Sequence, residues 1–163
     1  MAITTNDSVK LLLSPAKLIA ELKRRKTLRK YNLDPDKIHD EVSVKFPENV
    51  KMGPNSYMNS GHIIAGTYAK ITIGDWCAIG HNVTINATTR DLENPTGPDF
   101  KSIGKDIVIG DHVWIGNNVY IKEGIKIGNH VVIGANSMVT KDIEDYAVVG
   151  GVPAKVLKYL KKK

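Results

Sequence analysis

A chain of 163 residues suits a single domain with a real core, and 23 Lys+Arg against 17 Asp+Glu give it a formal charge of +6. The excess sits towards the two ends, in Lys23-Arg24-Arg25-Lys26 with Arg29 and Lys30, and in Lys155, Lys158, Lys161, Lys162 and Lys163; aromatics are only 6% and interleave with no basic stretch, which excludes a base-stacking platform for nucleic acid. The single cysteine, Cys77, allows no internal disulfide, no apolar run approaches the roughly 20 residues of a membrane span, and no signal-peptide core is present, so a cytoplasmic protein is expected.

Taken in chain order, Ser14 followed by Pro15 predicts a helix over 15–30, with Ser14 as N-cap and the proline in the first turn. Such a helix would cover one end of whatever follows. Residues 31–72 carry weak hexads at Val42, Val44, Val50, Met52-Gly53, Met58 and Ile64, out of phase with the later pattern, which implies at least one corner or insertion. A six-residue beat then sets in. Ile-Gly recurs at Ile73, Ile79, Ile103, Ile109, Ile115, Ile127 and Ile133, with Ile85, Ile121 and Val139 on missing beats. Amphipathic helices need apolar spacing of three to four, and a meander needs hairpin dipeptides, so neither produces a glycine every sixth residue.

A strict hexad suits a solenoid in which each hexad forms one flat face and three faces form a coil. The isoleucines point inward. A second inward row falls two residues earlier, at Ile71, Cys77, Val83, Ile107, Val113, Val119, Ile125 and Val131. The same arithmetic stacks His112 on His130 as an outward ladder. Residues 91–102, with two prolines and a glycine, read as a loop ejected between intact coils, and the beat is expected to resume at Ile103. The expected division is one domain over 1–163, with a helical cap over 1–37, a β-helix over 38–152 and a basic tail over 153–163 that forms a short helix or strand.

From Ile103 to Lys158 the pattern becomes specific. Gly110-Asp111-His112-Val113-Trp114-Ile115-Gly116, Ile133-Gly134-Ala135-Asn136-Ser137-Met138-Val139-Thr140-Lys141-Asp142 and Val149-Gly150-Gly151-Val152-Pro153-Ala154-Lys155 resemble the closing coils of the hexapeptide-repeat acyltransferases, nearest the maltose, galactoside and polysaccharide O-acetyltransferases. The resemblance covers roughly residues 50 to 158. It implies a mainly β fold, a left-handed parallel β-helix, and a homotrimer with acetyl-coenzyme A in the groove between subunits, with no metal required. It places Trp114 and Asn117 beside the pantetheine arm and Ala135 against its amides. Thr140, Lys141, Lys155 and Lys158 fall at the nucleotide end, where phosphates call for cations.

One position departs from the family pattern. The resemblance puts a catalytic His at the mouth of the ejected loop, and this chain has Arg90 there, followed by Asp91. Arginine keeps its proton, so Arg90 can bind an anion or stabilise an oxyanion but cannot serve as a base. The family's acceptor-contacting Asn aligns with Ser60, and His62, on the same side of that strand, is a surrogate base or a wall of the acceptor pocket. His39 lies in the weak first coil with no supporting motif, and His81 faces outward two hexads before the loop, a position that is often plain surface. No two histidines have the His-x4-His spacing of the zinc-binding carbonic anhydrases built on this solenoid. The expected activity is acetyl transfer to a sugar hydroxyl of a glycan or nucleotide-sugar precursor. Two alternatives are N-acetylation of an amino sugar, with Arg90-Asp91 binding substrate, and a catalytically idle coenzyme A-binding scaffold.

Overall fold

A computed structural model describes residues 14–93, 96–97 and 100–161. The helix α1 runs over Pro15–Lys30, and the Ser14 hydroxyl accepts from the Lys17 N–H at 3.4 Å, as the local sequence requires. Of its side chains only Leu28 is buried. Arg24 fastens α1 to the chain that follows, donating to the carbonyls of Ile38 and Val42 at 2.9 and 3.4 Å.

After α1 the chain winds through three parallel sheets, the faces of a triangular coil. Face one stacks Val42–Lys45, Gly61–Ile64, Val83–Asn86, Tyr120–Ile121 and Met138–Val139. Face two stacks Val50–Met52, Ile71–Ile73, Ile107–Ile109 and Lys126–Ile127. Face three stacks Tyr57–Met58, Ala78–Ile79, Trp114–Ile115, Val132–Ile133 and Ala147–Gly150, and Lys155–Tyr159 closes it as an antiparallel edge. The expected basic tail thus contains a strand over Lys155–Tyr159.

Both inward rows are buried throughout. Ile73, Ile79, Ile85, Ile109, Ile115, Ile121, Ile127 and Ile133 are all at most 3% exposed, and so are Ile71, Cys77, Val83, Ile107, Val113, Val119 and Val131. In-register stacking puts each aliphatic side chain on its equivalent one coil away, with strands about 4.8 Å apart. The glycines of the Ile-Gly pairs keep negative φ, so they serve close approach between coils. A Cβ at Gly116 would stand 2.6 Å from the Ala135 nitrogen, and one at Gly74 2.5 Å from the Gly110 carbonyl oxygen.

The corners use other residues. Trp76, His112, His130 and Tyr146 hold positive φ at one corner, and Asn82, Asn118 and Asn136 hold it at the next. Asparagine tolerates this conformation and rings do so less readily. Stacking offsets the cost: His112 lies 4.7 Å from His130, and His130 4.8 Å from Tyr146. The His112–His130 ladder expected from the hexad arithmetic is therefore present and continues onto Tyr146.

One expectation is corrected. Ile103 does not resume the beat. It lies in Ser102–Gly104, which pairs antiparallel with Thr88–Arg90 as a hairpin outside the coil, and it is 37% exposed. Corner hydrogen bonds span 36 residues across this hairpin, from Asp75 to Asp111, and 18 across an ordinary coil, from Asp111 to Asn129. The chain leaves after face one and re-enters at Ile107 on face two, so the excursion is wider than 91–102. An alternating β-branched stretch fits a hairpin arm as well as a coil, which is why Ile103 matches the beat without belonging to it.

Candidate active site

Face three carries a groove of about 330 Å³ lined by Trp114, Gly116, Asn117, Val132, Ile133, Gly134 and Ala135. Trp114 stands in register with Ala78 and Val132, so its ring rises between two smaller neighbours and stays 60% exposed. The coil register thus brings Ala135, from the next coil, beside Trp114 and Asn117 in one groove.

At the end of the stack the Met138 N–H donates to the Gly151 carbonyl at 3.0 Å and the Ala154 N–H to the Met138 carbonyl at 2.8 Å. These bonds dock the Pro153 segment against the strand that leads into Thr140 and Lys141. Lys141, Lys155 and Lys158 are exposed, and Thr140 is half-buried. The groove itself is apolar and aromatic-walled, and Lys155 and Lys158 lie on the strand that closes the same face, a distribution suited to an extended ligand with phosphates at one end.

Arg90 and Asp91 lie in the hairpin that leaves the far edge of face one. The Arg90 guanidinium sits 4.7 Å over the Phe100 ring. The Asp91 N–H donates to Lys101 O at 3.0 Å, and its carboxylate accepts from the Glu93 N–H at 3.1 Å. His62 is exposed on face one, in register between Ser43 and Thr84. Ser60 occupies the corner before it. Its hydroxyl accepts from the Asn82 N–H at 2.9 Å and lies 3.4 Å from His81 Nδ1, so the partner of Ser60 is His81 and not His62.

Two features escaped the sequence reading. Asn86 accepts from both the N–H and the hydroxyl of Thr88, at 3.0 and 2.8 Å, and donates to the Tyr120 hydroxyl at 3.3 Å. This network fixes the base of the hairpin. A polar Asn directly after the buried Ile85, where a coil ends, was its signal. The second feature is His81, whose N–H donates to Asn117 Oδ1 at 2.9 Å and so joins it to the wall of the groove. A further group is set aside by its surroundings: burial pushes the Cys77 thiol up from its ordinary value, and its sulfur lies 3.1 Å from the Gly110 carbonyl, so no thiolate nucleophile is available.

A family model described as bacterial transferase hexapeptide (six repeats) matches residues 106–141. Galactoside O-acetyltransferase of Escherichia coli (strain K12) is 35% identical over 121 residues, which cover 74% of this chain and 59% of that protein's length. A hexapeptide-repeat-containing acetyltransferase of Vibrio cholerae superposes with a TM-score of 0.70 at 33% identity, over 77% of this chain and 70% of that one. The chain belongs to the hexapeptide-repeat acetyltransferases. A galactoside acetyltransferase solved in complex with coenzyme A gives a TM-score of 0.72 at 30% identity, over 92% of this chain and 74% of its own. As a hexapeptide-repeat acetyltransferase the chain has the left-handed parallel β-helix that the resemblance implies. No helix of the described residues is long and apolar enough to cross a membrane.

Proposed function

We propose that the protein transfers an acetyl group from acetyl-coenzyme A to a sugar hydroxyl of a glycan or nucleotide-sugar precursor, working as a cytoplasmic homotrimer with the coenzyme in the groove between subunits. The observation that carries this reading is the groove lined by Trp114, Asn117 and Ala135 on face three, the face closed by the strand that bears Lys155 and Lys158. An extended pantetheine arm suits the channel: the Trp114 ring flanks it, and the backbone of the exposed Ala135 meets its peptide-like groups. The nucleotide phosphates then fall among the lysines.

Arg90 and Asp91 hold the acceptor in this reading. The Arg90 guanidinium stacks on Phe100, and a permanent cation held there suits a phosphate or carboxylate on the acceptor. The same permanent cation favours a second reading, N-acetylation of an amino sugar, because an amine can lose its proton after attack without a dedicated base at this position. Thiol release from acetyl-coenzyme A, measured against hydroxyl sugars and amino sugars, separates the readings. Turnover with hydroxyl acceptors is expected; turnover confined to amines moves the assignment to N-acetylation, and none with either class leaves a coenzyme-binding scaffold.

A further inference from the structure

We propose that His81, held by Ser60, is the general base of this acyl transfer. The inference rests on the coenzyme reading given above and adds the residue that receives the proton. Register places it. Met58 pairs Ile79, Ile79 pairs Ile115, and Ile115 pairs Ile133, so two residues further on Ser60, His81, Asn117 and Ala135 occupy equivalent positions of one corner in four successive coils. Successive positions are about 4.8 Å apart along the stack. Asn117 and Ala135 already wall the groove, and His81 is the next side chain in the column, away from the lysines. A ligand whose phosphates lie among Lys141, Lys155 and Lys158 runs its other end, the thioester, down this column towards His81.

The ring is also oriented for the task. Ser60 Oγ takes the Asn82 N–H with one lone pair and can take His81 Nδ1–H with the other, a tautomer that leaves Nε2 bare. The 3.4 Å separation is the long contact expected of a catalytic hydrogen bond before the complex forms. His81 is exposed, so Nε2 can meet an acceptor. In the step, the acceptor oxygen attacks the thioester carbonyl carbon while its proton passes to Nε2. The tetrahedral intermediate collapses with cleavage of the C–S bond, the proton goes to the leaving sulfur as the thiol of coenzyme A, and His81 returns to its neutral form. Ser60 acts as a positioning residue.

His81→Ala tests the role, with coenzyme A binding followed by tryptophan fluorescence and turnover by thiol release. The expected result is a fall in kcat on the order of 10²–10⁴-fold, the usual contribution of a general base, with coenzyme A affinity unchanged and turnover partly restored by added imidazole. Ser60→Ala is expected to lower kcat by a smaller factor without changing the KM for acetyl-coenzyme A, and Ser60→Thr, which keeps the hydroxyl, to recover it. Wild-type turnover in His81→Ala overturns the inference and leaves the coenzyme reading intact. A wild-type protein that binds no coenzyme A overturns that reading itself.

Discussion

Arg90 rests its guanidinium 4.7 Å over the ring of Phe100, across the hairpin that leaves the coil after face one. The hairpin thereby fixes a permanent cation at the position the family pattern reserves for a base. Arg90→Ala is expected to raise the acceptor KM roughly tenfold, the scale of one lost charge-assisted contact, with little change in kcat. Arg90→His is expected to behave the same way. A gain in kcat for Arg90→His would show instead that the pocket lacks only a base and that Arg90 holds nothing.

Trp114 is the aromatic wall of the groove, and Trp76 sits at a corner of the coil with its indole 6.4 Å from the His112 ring. Coenzyme A titration should change the emission of the wild type and of Trp76→Phe. Trp114→Ala should lose that response and weaken binding by about 1–3 kcal/mol, in keeping with removal of a large ring from a contact surface. An unchanged affinity in Trp114→Ala would reassign the ring to subunit packing.

The coil core was legible in the sequence because inward packing repeats a single requirement, a β-branched or small residue at fixed spacing, so Ile73 through Ile133 announce themselves. The cap of α1 was legible for a similar reason: Ser14 and Pro15 act through local geometry. Ile103 was misread because a hairpin arm and a coil strand share the same alternation, and only the neighbouring strand tells them apart. The groove residues could be named from the family pattern, yet their assembly depends on register across coils. The pairing of Ser60 with His81 was not legible, since it joins two corner residues in different coils that no local pattern links.

The corrected register makes a stability prediction. Ile115 is fully buried between Ile79 and Ile133, whereas Ile103 stands in the exposed hairpin. Ile115→Ala should destabilise by about 2–5 kcal/mol through lost burial and the cavity left behind. Ile103→Ala should stay within about 1 kcal/mol. Denaturant unfolding of the two variants decides the matter, and comparable losses would return Ile103 to the core.

Trp114 at 60%, Val156 at 50% and, in the turn between the last two strands, Val152 at 71% exposure leave apolar side chains uncovered on face three and beside it. A trimer that packs these faces together would cover them and complete the second wall of the groove. Light scattering after size exclusion should therefore give three times the mass of one 17.9 kDa chain. A monomer at micromolar concentration would rule out the shared groove.

The last prediction concerns acid. Desolvation pushes the Asp75 carboxyl up, but it accepts from the Asn55 N–H and side-chain amide at 2.8 and 3.0 Å and from the Trp76 N–H at 2.9 Å. These donors, with the charge of His112, hold it below its ordinary 3.8. A carboxylate whose folded value lies below its unfolded value contributes stability above the unfolded value and loses it as pH falls through the folded one. Asp75→Asn keeps an oxygen acceptor and removes the charge, so it should melt below the wild type at neutral pH. That gap should narrow as pH falls from about 5 through the ordinary 3.8 and on below it, as the wild-type carboxylate gains its proton. Thermal midpoints across that range provide the measurement; a gap that stays constant would mean that the corner depends on the shape of the side chain at residue 75 and not on its ionisation.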